Sequence, residues 1–135
     1  MKYLMLISLM CLNFFSFSQS AGPDAELLVR AQACAEEVYP ECPQYIAANY
    51  IAKYAKRLAR VEIRTQPITS GEPYRLLSSA GLVNKCNPGL ERDNATTFNP
   101  EKFNPLKYFL QFSSSEDVVY RVDNTVYLII IHPAK

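Results

Sequence analysis

The side chains best suited to nucleophilic, acid–base or metal chemistry near neutral pH are scarce in this chain. It holds a single histidine, His132, three residues before the C-terminal Lys135. A histidine that activates a serine or a cysteine needs a third group to orient it, and no motif supplies that group here. The four cysteines lack the CxxC spacing of a zinc site. We therefore predict no catalytic residue, no metal site and no cofactor.

Acidic side chains near predicted turns are the remaining candidates for acid–base chemistry. Paired carboxylates hydrolyse a substrate when one donates a proton and the other activates water or attacks. No motif pairs them in this chain, but the turns could bring some of them together. A small carboxylate-based hydrolase is therefore one alternative function, and it predicts a deep polar cleft lined by at least two of four residues. These are Asp93, Glu116, Asp117 and Asp123.

Basic side chains along the second predicted helix form the clearest candidate binding surface. At helical spacing they share one face, which would attract an acidic partner protein or an anionic lipid surface in a salt-sensitive manner. The alternative is a solvated helix face that is partly paired with the acidic first helix. The partner-binding candidates are Lys53, Lys56, Arg57 and Arg60.

The first residues of the chain predict where the protein works. One lysine near the start, an apolar run at Leu4–Phe17 and small residues up to Ser20 form the pattern of a secretory signal. We therefore predict a signal peptide at 1–20 and a single domain at 21–135. A retained membrane helix is disfavoured because the run is shorter than the roughly 20 apolar residues that span a bilayer. A lipoprotein cleaved at Cys11 is disfavoured because bulky residues precede that cysteine.

Export to an oxidising compartment favours a disulfide among the three cysteines that follow the signal. Cys34 and Cys42 are the predicted pair because they are close in the chain and flank a turn, while a bridge with Cys86 stays open. Loss of Lys2 with the signal reduces the 14 basic residues to 13, which equals the 13 acidic residues. A neutral exported chain argues against nucleic-acid binding. No transmembrane span is expected once the signal is removed.

The N-terminal part of the predicted domain shows helical periodicity. Apolar residues recur on one arc from Pro23 to about Val38, and polar residues cover the other side. A second helix is predicted from near Pro43 to about Arg60, after a turn bounded by prolines that cannot sit inside a helix. The short connection between the two predicts an αα-hairpin.

The rest of the chain contains short runs of β-branched and aromatic residues that are typical of strands. The predicted strands are 61–69, 74–79, 106–112, 118–122 and 126–131. The last run is continuously apolar, so its strand is expected inside the sheet. The intervening stretch 81–105 is mostly loop because it carries Asn-Pro turns. We predict an α+β fold, with the helical hairpin packed on a mainly antiparallel sheet of four to five strands that ends in a three-stranded meander.

Short segments in the C-terminal part of the chain form a recognisable set. They are 77–79 (LSS), 84–85 (NK), 103–109 (FNPLKYF), 120–125 (YRVDNT) and 127–131 (YLIII). Over roughly Leu77–Pro133, the chain resembles a group of small uncharacterised exported proteins of Bacteroidetes. The resemblance implies a bacterial, exported protein and supplies no catalytic residue.

These patterns favour a small exported non-enzymatic protein that binds a partner protein or a cell-envelope component. The reasons for this interpretation are the missing active-site pattern, the basic, tyrosine-rich second helix and the long loop with its Asn-Pro pairs. A disulfide-stabilised structural envelope protein is a further alternative, beside the hydrolase. The expected location is the periplasm, the outer membrane surface or the extracellular medium.

Overall fold

The computed structural model describes residues 24–135, and the predicted signal at 1–20 lies outside this range. Helix α1 spans Ala25–Val38. Asp24 caps it, because its carboxylate accepts the Glu26 N–H at 3.1 Å and so satisfies an amide group that the helix start leaves free. The first predicted helix is therefore confirmed.

Helix α2 is shorter than the second predicted helix. A 3-10 turn at Pro43–Ile46 precedes α2, which spans Ala48–Leu58. Ala47 between them is extended, with ψ 153°. The Tyr45 carbonyl accepts the Tyr54 hydroxyl at 2.9 Å, a tertiary contact that holds the 3-10 turn against α2. The predicted continuous helix is therefore wrong at its start.

The two helices pack against each other as the predicted αα-hairpin. Ala31 and Ala35 on α1 have no exposed surface, and Ile51 and Leu58 on α2 pack in the same cluster. Leu106, far along the chain, completes this helical core. In the part of the chain that the structure describes, no helix combines the length and apolar character needed to cross a bilayer.

In the described part of the chain, four strands form one sheet in the order β1-β4-β3-β2. They are β1 Val61–Thr65, β2 Arg75–Leu76, β3 Val118–Arg121 and β4 Tyr127–Ile131. β4 pairs antiparallel with both β1 and β3, so the last strand lies inside the sheet as its apolar sequence predicted. Asn124 turns the β3–β4 hairpin with φ 59°, a conformation that asparagine tolerates. The α+β class is confirmed.

Strand β2 departs from the prediction in both length and direction. It pairs parallel with β3, so the sheet is mixed. Of the strand predicted at 74–79, only two residues pair, because Leu77–Ser79 turns away as a short 3-10 helix. The N–H and hydroxyl of Ser78 donate to the Asp123 carboxylate at 3.1 and 2.6 Å and hold that turn.

The segment predicted as a strand at 106–112 does not join the sheet. Pro105–Lys107 is a 3-10 turn, and Tyr108 then makes an isolated bridge outside the named strands. The Gln111 N–H donates to the Tyr120 hydroxyl at 3.1 Å, so a side chain takes the place of a neighbouring strand. The predicted three-stranded meander is therefore wrong, and only its β3–β4 hairpin forms.

The chain before β3 connects two cores. Phe103, Tyr108 and Leu110 pack with β3 and β4 in a sheet core, whereas Leu106 belongs to the helical core. The segment 103–112 therefore contacts both cores. The helical hairpin meets the sheet mainly through this segment, which modifies the predicted direct packing of one on the other.

The disulfide joins Cys42 to Cys86, so the predicted Cys34–Cys42 bridge is wrong. Cys34 lies within α1 with a free thiol, and burial raises the pKa of that thiol. Cys42 follows α1, and next to it the Glu41 N–H donates to the Cys86 carbonyl at 3.3 Å. This contact brings the loop 81–105 beside the turn of the helical hairpin, where the bridge fastens it.

Candidate functional site

A groove of about 430 Å³ lies between the helical hairpin and the segment 109–113. Tyr39 and Arg57 line it from the hairpin, and Val83 and Leu106 line it from the chain that joins the two cores. It lies where the segment 103–112, which stays outside the sheet, meets Arg57 of α2. It is named the α2 groove below.

Both walls of the α2 groove lack acidic side chains. The stretch 42–61, which contains α2, has no Asp or Glu, and neither has the stretch 102–115 on the other side. A local excess of basic groups creates a positive potential that attracts anions. The absence of Asp and Glu from these two stretches is visible in the sequence and could have indicated the site. Only the fold shows that the two stretches lie on opposite sides of one groove.

Three of the four predicted partner-binding residues are available on α2. Lys53, Lys56 and Arg57 are exposed, and within residues 24–135 none of them forms an ion pair. The Arg57 guanidinium lies 5.5 Å from the centre of the Phe112 ring, which holds it beside the groove. In this range, the alternative in which acidic residues of the first helix neutralise the basic face is not observed.

Arg60, the fourth predicted residue, holds the fold together. Its Nε donates to the His132 carbonyl at 2.8 Å, and its Nη2 donates to the Phe112 carbonyl. The same guanidinium lies 5.5 Å from the Phe112 ring centre. Arg60 therefore ties the end of the helical hairpin to the C-terminal strand and to the groove wall through its Nε and Nη2.

The groove wall has the alternating character of an extended chain. Leu110 is buried, whereas Phe109 is 69% exposed. The N–H groups on one side of this segment are occupied, because Phe109 donates to the Gly81 carbonyl at 2.8 Å and Gln111 donates to the Tyr120 hydroxyl at 3.1 Å. Sequence patterning predicted the alternation but assigned it to a paired strand.

The four carboxylates of the hydrolase alternative divide between two clefts. Asp93 and Asp123 line one of about 410 Å³, and Glu116 and Asp117 line another of about 360 Å³. In the first cleft, Asp123 accepts both the N–H and the hydroxyl of Ser78, as described above. The structure therefore brings two of the four carboxylates to each cleft, and in the first it assigns Asp123 to holding a turn.

Asp93 is also engaged by the protein. Its carboxylate accepts the Lys107 ammonium at 3.2 Å and the Tyr108 hydroxyl at 2.7 Å. Burial raises the pKa of Tyr108, which keeps this hydroxyl protonated as a donor. These contacts favour a structural role for both carboxylates of the cleft. Within residues 24–135, no group of three or more His, Cys, Asp or Glu side chains is arranged to hold a metal ion.

His132 lies after β4 between two carboxylates, a contact that the sequence did not reveal. Its Nδ1 lies 2.9 Å from Asp117 and its Nε2 lies 2.9 Å from Glu62. Hydrogen bonds to Glu62 and then to Asp117 raise the pKa of His132. The hydrogen bond from His132, followed by that from Arg64, lowers the pKa of Glu62. This cluster fastens the end of β4 to β1 and to the start of β3.

The His132 cluster predicts a pH-dependent contribution to stability. Because the pKa of His132 is raised on folding, its contribution is complete below its unfolded pKa of 6.5 and is lost as pH rises through the folded value. Because the pKa of Glu62 is lowered, its contribution is present above 4.5 and is lost as pH falls through the folded value. The contributions of His132 and Glu62 to stability are therefore both complete between pH 4.5 and pH 6.5.

We therefore expect His132→Gln to lower the urea midpoint most at about pH 5.5 and progressively less as pH rises above 6.5. Urea unfolding of the wild type and the variant at several pH values measures this difference. Glu101→Gln, which removes an exposed carboxylate outside the cluster, serves as the control and should give a difference that does not depend on pH in this range. A His132→Gln difference that grew between pH 6.5 and pH 9 would contradict the assignment.

Comparisons of the chain with family models, with curated proteins and with solved structures give no match. The resemblance to small exported proteins of Bacteroidetes therefore stays a prediction.

Proposed function

We propose that this chain is an exported, non-enzymatic protein that binds an acidic segment of a partner protein in the α2 groove. One observation carries the proposal: Arg57 lines a partly apolar groove whose walls contain no acidic side chain, and Lys53 and Lys56 lie exposed on the same helix. An acidic segment provides the charge that this surface lacks, and complementary charge favours encounter and orientation. Apolar side chains of the same segment would pack against Leu106 and Phe109 in the groove.

The compartment proposed for this function lies outside the cytoplasm. The Cys42–Cys86 disulfide supports this location, because such bridges persist in oxidising environments. We infer the periplasm, the outer membrane surface or the extracellular medium. A purely structural envelope protein would carry the same bridge, but it would show no affinity for an acidic peptide.

Charge reversal on α2 tests the proposal with a defined probe. The peptide EVEVEVE, labelled with fluorescein, is titrated with purified protein, and its fluorescence anisotropy gives the dissociation constant. The triple variant K53E/K56E/R57E is expected to bind about tenfold more weakly or worse, since three exposed charge contacts of about 0.5 kcal/mol each are lost. The wild-type affinity should also fall as salt is added.

A matched variant separates this site from the net charge of the molecule. K85E/K102E/K135E reverses three other exposed lysines and changes the net charge equally. It should retain most of the wild-type affinity. Equal loss in the two triple variants would mean that net charge alone attracts the peptide, and no binding by the wild type would reject the proposed function.

Phe109 supplies a second test, of the apolar contact. Its ring packs on Gly81, where an added Cβ atom would come within 3.1 Å of the ring. Aromatic side chains dominate the energy of many interfaces. We expect Phe109→Ser to weaken peptide binding about tenfold while changing the free energy of unfolding by less than about 0.5 kcal/mol.

The control for Phe109→Ser is Val29→Ser on α1, which removes an apolar side chain of equal exposure, 69%, far from the groove. It should leave the anisotropy titration unchanged. The apolar part of the proposal fails if Phe109→Ser binds as well as the wild type, or if Val29→Ser weakens binding by the same factor.

A further inference from the structure

We infer that the acidic segment binds as an extended strand, hydrogen-bonded to the backbone of Leu110 and Phe112. This inference rests on the proposed function, because it concerns the same groove, and it adds the conformation of the ligand. The groove wall is an extended stretch of backbone whose groove-facing side, within residues 24–135, lacks a neighbouring strand. Such a side recognises any peptide that can run alongside it and complete its hydrogen bonds.

The orientation of this side follows from the backbone contacts. In an extended chain, successive residues point their N–H and carbonyl groups to opposite sides. Phe109 and Gln111 donate on one side of the segment, to Gly81 and to Tyr120. The Phe112 carbonyl, on the other side, accepts from Arg60 of the chain after α2. The groups of Leu110 and Phe112 therefore face the helical hairpin, across the α2 groove.

Three backbone groups on that side are free to pair. Within residues 24–135, the N–H and carbonyl of Leu110 and the N–H of Phe112 have no hydrogen-bond partner in the protein. An antiparallel partner residue can pair with the N–H and carbonyl of one residue at once, and the next donor on that side lies two residues along. Leu110 and Phe112 have this spacing. A helical ligand could not use them, because its backbone groups are already paired.

A strand also distributes side chains in the way that the groove requires. Alternate side chains of a strand point in opposite directions, so a segment that alternates acidic and apolar residues separates the two kinds. Arg57 in the groove, with the exposed Lys53 and Lys56 on the same helix, would pair with the acidic side chains, and the apolar lining that includes Val83 and Leu106 would contact the apolar ones. An anionic lipid offers the charge without backbone groups, and a second copy of the chain would need its own acidic segment.

Backbone methylation of the probe tests the inference. Two analogues of fluorescein-labelled EVEVEVE carry N-methyl groups, one on its valine amides and the other on its internal glutamate amides. Because alternate amides of a strand face opposite sides, one analogue loses the donors that face Leu110 and the other keeps them. We expect one analogue to bind at least about tenfold more weakly than the unmodified peptide, through lost hydrogen bonds and a steric clash, and the other to bind within about threefold.

The outcomes separate the inference from the proposed function. Equal affinity of the two analogues, while K53E/K56E/R57E still weakens binding, would overturn the strand and keep the acidic-segment site. Absence of binding by unmodified EVEVEVE would overturn both. Charge-dependent flotation of the protein with vesicles of phosphatidylglycerol and phosphatidylcholine, without peptide binding, would assign the surface to lipid. A light-scattering mass of two copies that the peptide does not dissociate would assign the groove to a second copy, and either result would overturn the inference.

Discussion

Replacing Arg121 with methionine is expected to destabilise the protein by about 3 kcal/mol or more, because it breaks a buried ion pair by removing one partner. Arg121 on β3 is only 2% exposed. Its Nε and Nη2 donate to the Glu72 carboxylate at 2.8 and 2.7 Å, and its Nη1 donates to the Gln66 carbonyl at 2.6 Å. These contacts fasten the chain between β1 and β2 onto the sheet. Urea unfolding gives the free energy of unfolding of wild type and variant.

The control for Arg121→Met is Arg75→Met on the neighbouring strand β2. Arg75 is exposed, and its guanidinium donates to the Gln111 side chain at 2.8 Å. A surface contact of this kind contributes little, so we expect a change within about 0.5 kcal/mol. If the two variants lost the same stability, the buried position of Arg121 would not be the reason for its contribution.

Removing the disulfide is the second large effect that we expect. The variant C42S/C86S should lose about 2–5 kcal/mol, because the bridge closes a long loop that the unfolded chain would otherwise explore freely. The two cysteines are 44 residues apart in the chain. The bridge also fixes the helical hairpin to the loop 81–105, so its loss should loosen the junction near Tyr39 and Val83 at the α2 groove. Thermal or urea unfolding measures the loss.

Cys34→Ser is the matched single-site comparison, because Cys34 is a free thiol. It should cost much less than C42S/C86S. Alkylation without reduction, followed by mass analysis of the peptides, should modify Cys34 and leave Cys42 and Cys86 protected. Protection of Cys34 together with Cys42 would restore the pairing that chain proximity had predicted.

Local patterns in the sequence predicted the first helix and the inner strand correctly. The amphipathic spacing located α1, and the unbroken apolar run Tyr127–Ile131 identified an inner strand, because both patterns report burial directly. The sequence also predicted the turn at Asn124, because asparagine adopts a positive φ more readily than most residues. These features depend on neighbours in the chain.

Features that depend on distant contacts were missed or misassigned. Alternating residues at 106–112 indicated a strand, but the Tyr120 hydroxyl and the Arg60 guanidinium take hydrogen bonds that another strand would have taken. The disulfide partner of Cys42 comes from a loop that chain proximity could not select. Arg60 shares the basic composition of α2, yet its position beyond the helix directs it to backbone carbonyls.

The candidate site was predicted only in part, because one of its walls depends on neighbouring residues and the other depends on distant contacts. Helical spacing collected Lys53, Lys56 and Arg57 on one face, which depends on sequence alone. The opposite wall at 109–113 is 50 or more residues away in the chain, so only the fold could reveal that the basic face borders a groove. The unpaired N–H and carbonyl of Leu110 within residues 24–135 could likewise be identified only from the fold.

The most direct test of the α2 groove as the binding site is an NMR titration of the ¹⁵N-labelled protein with EVEVEVE. We expect the amide signals of 53–57 and 109–113 to shift together and to saturate at one peptide per protein. The amides around Asp93 and Asp123, which line the separate cleft, should stay in place. Shifts centred on that cleft, or shifts of comparable size across the whole surface, would contradict the account.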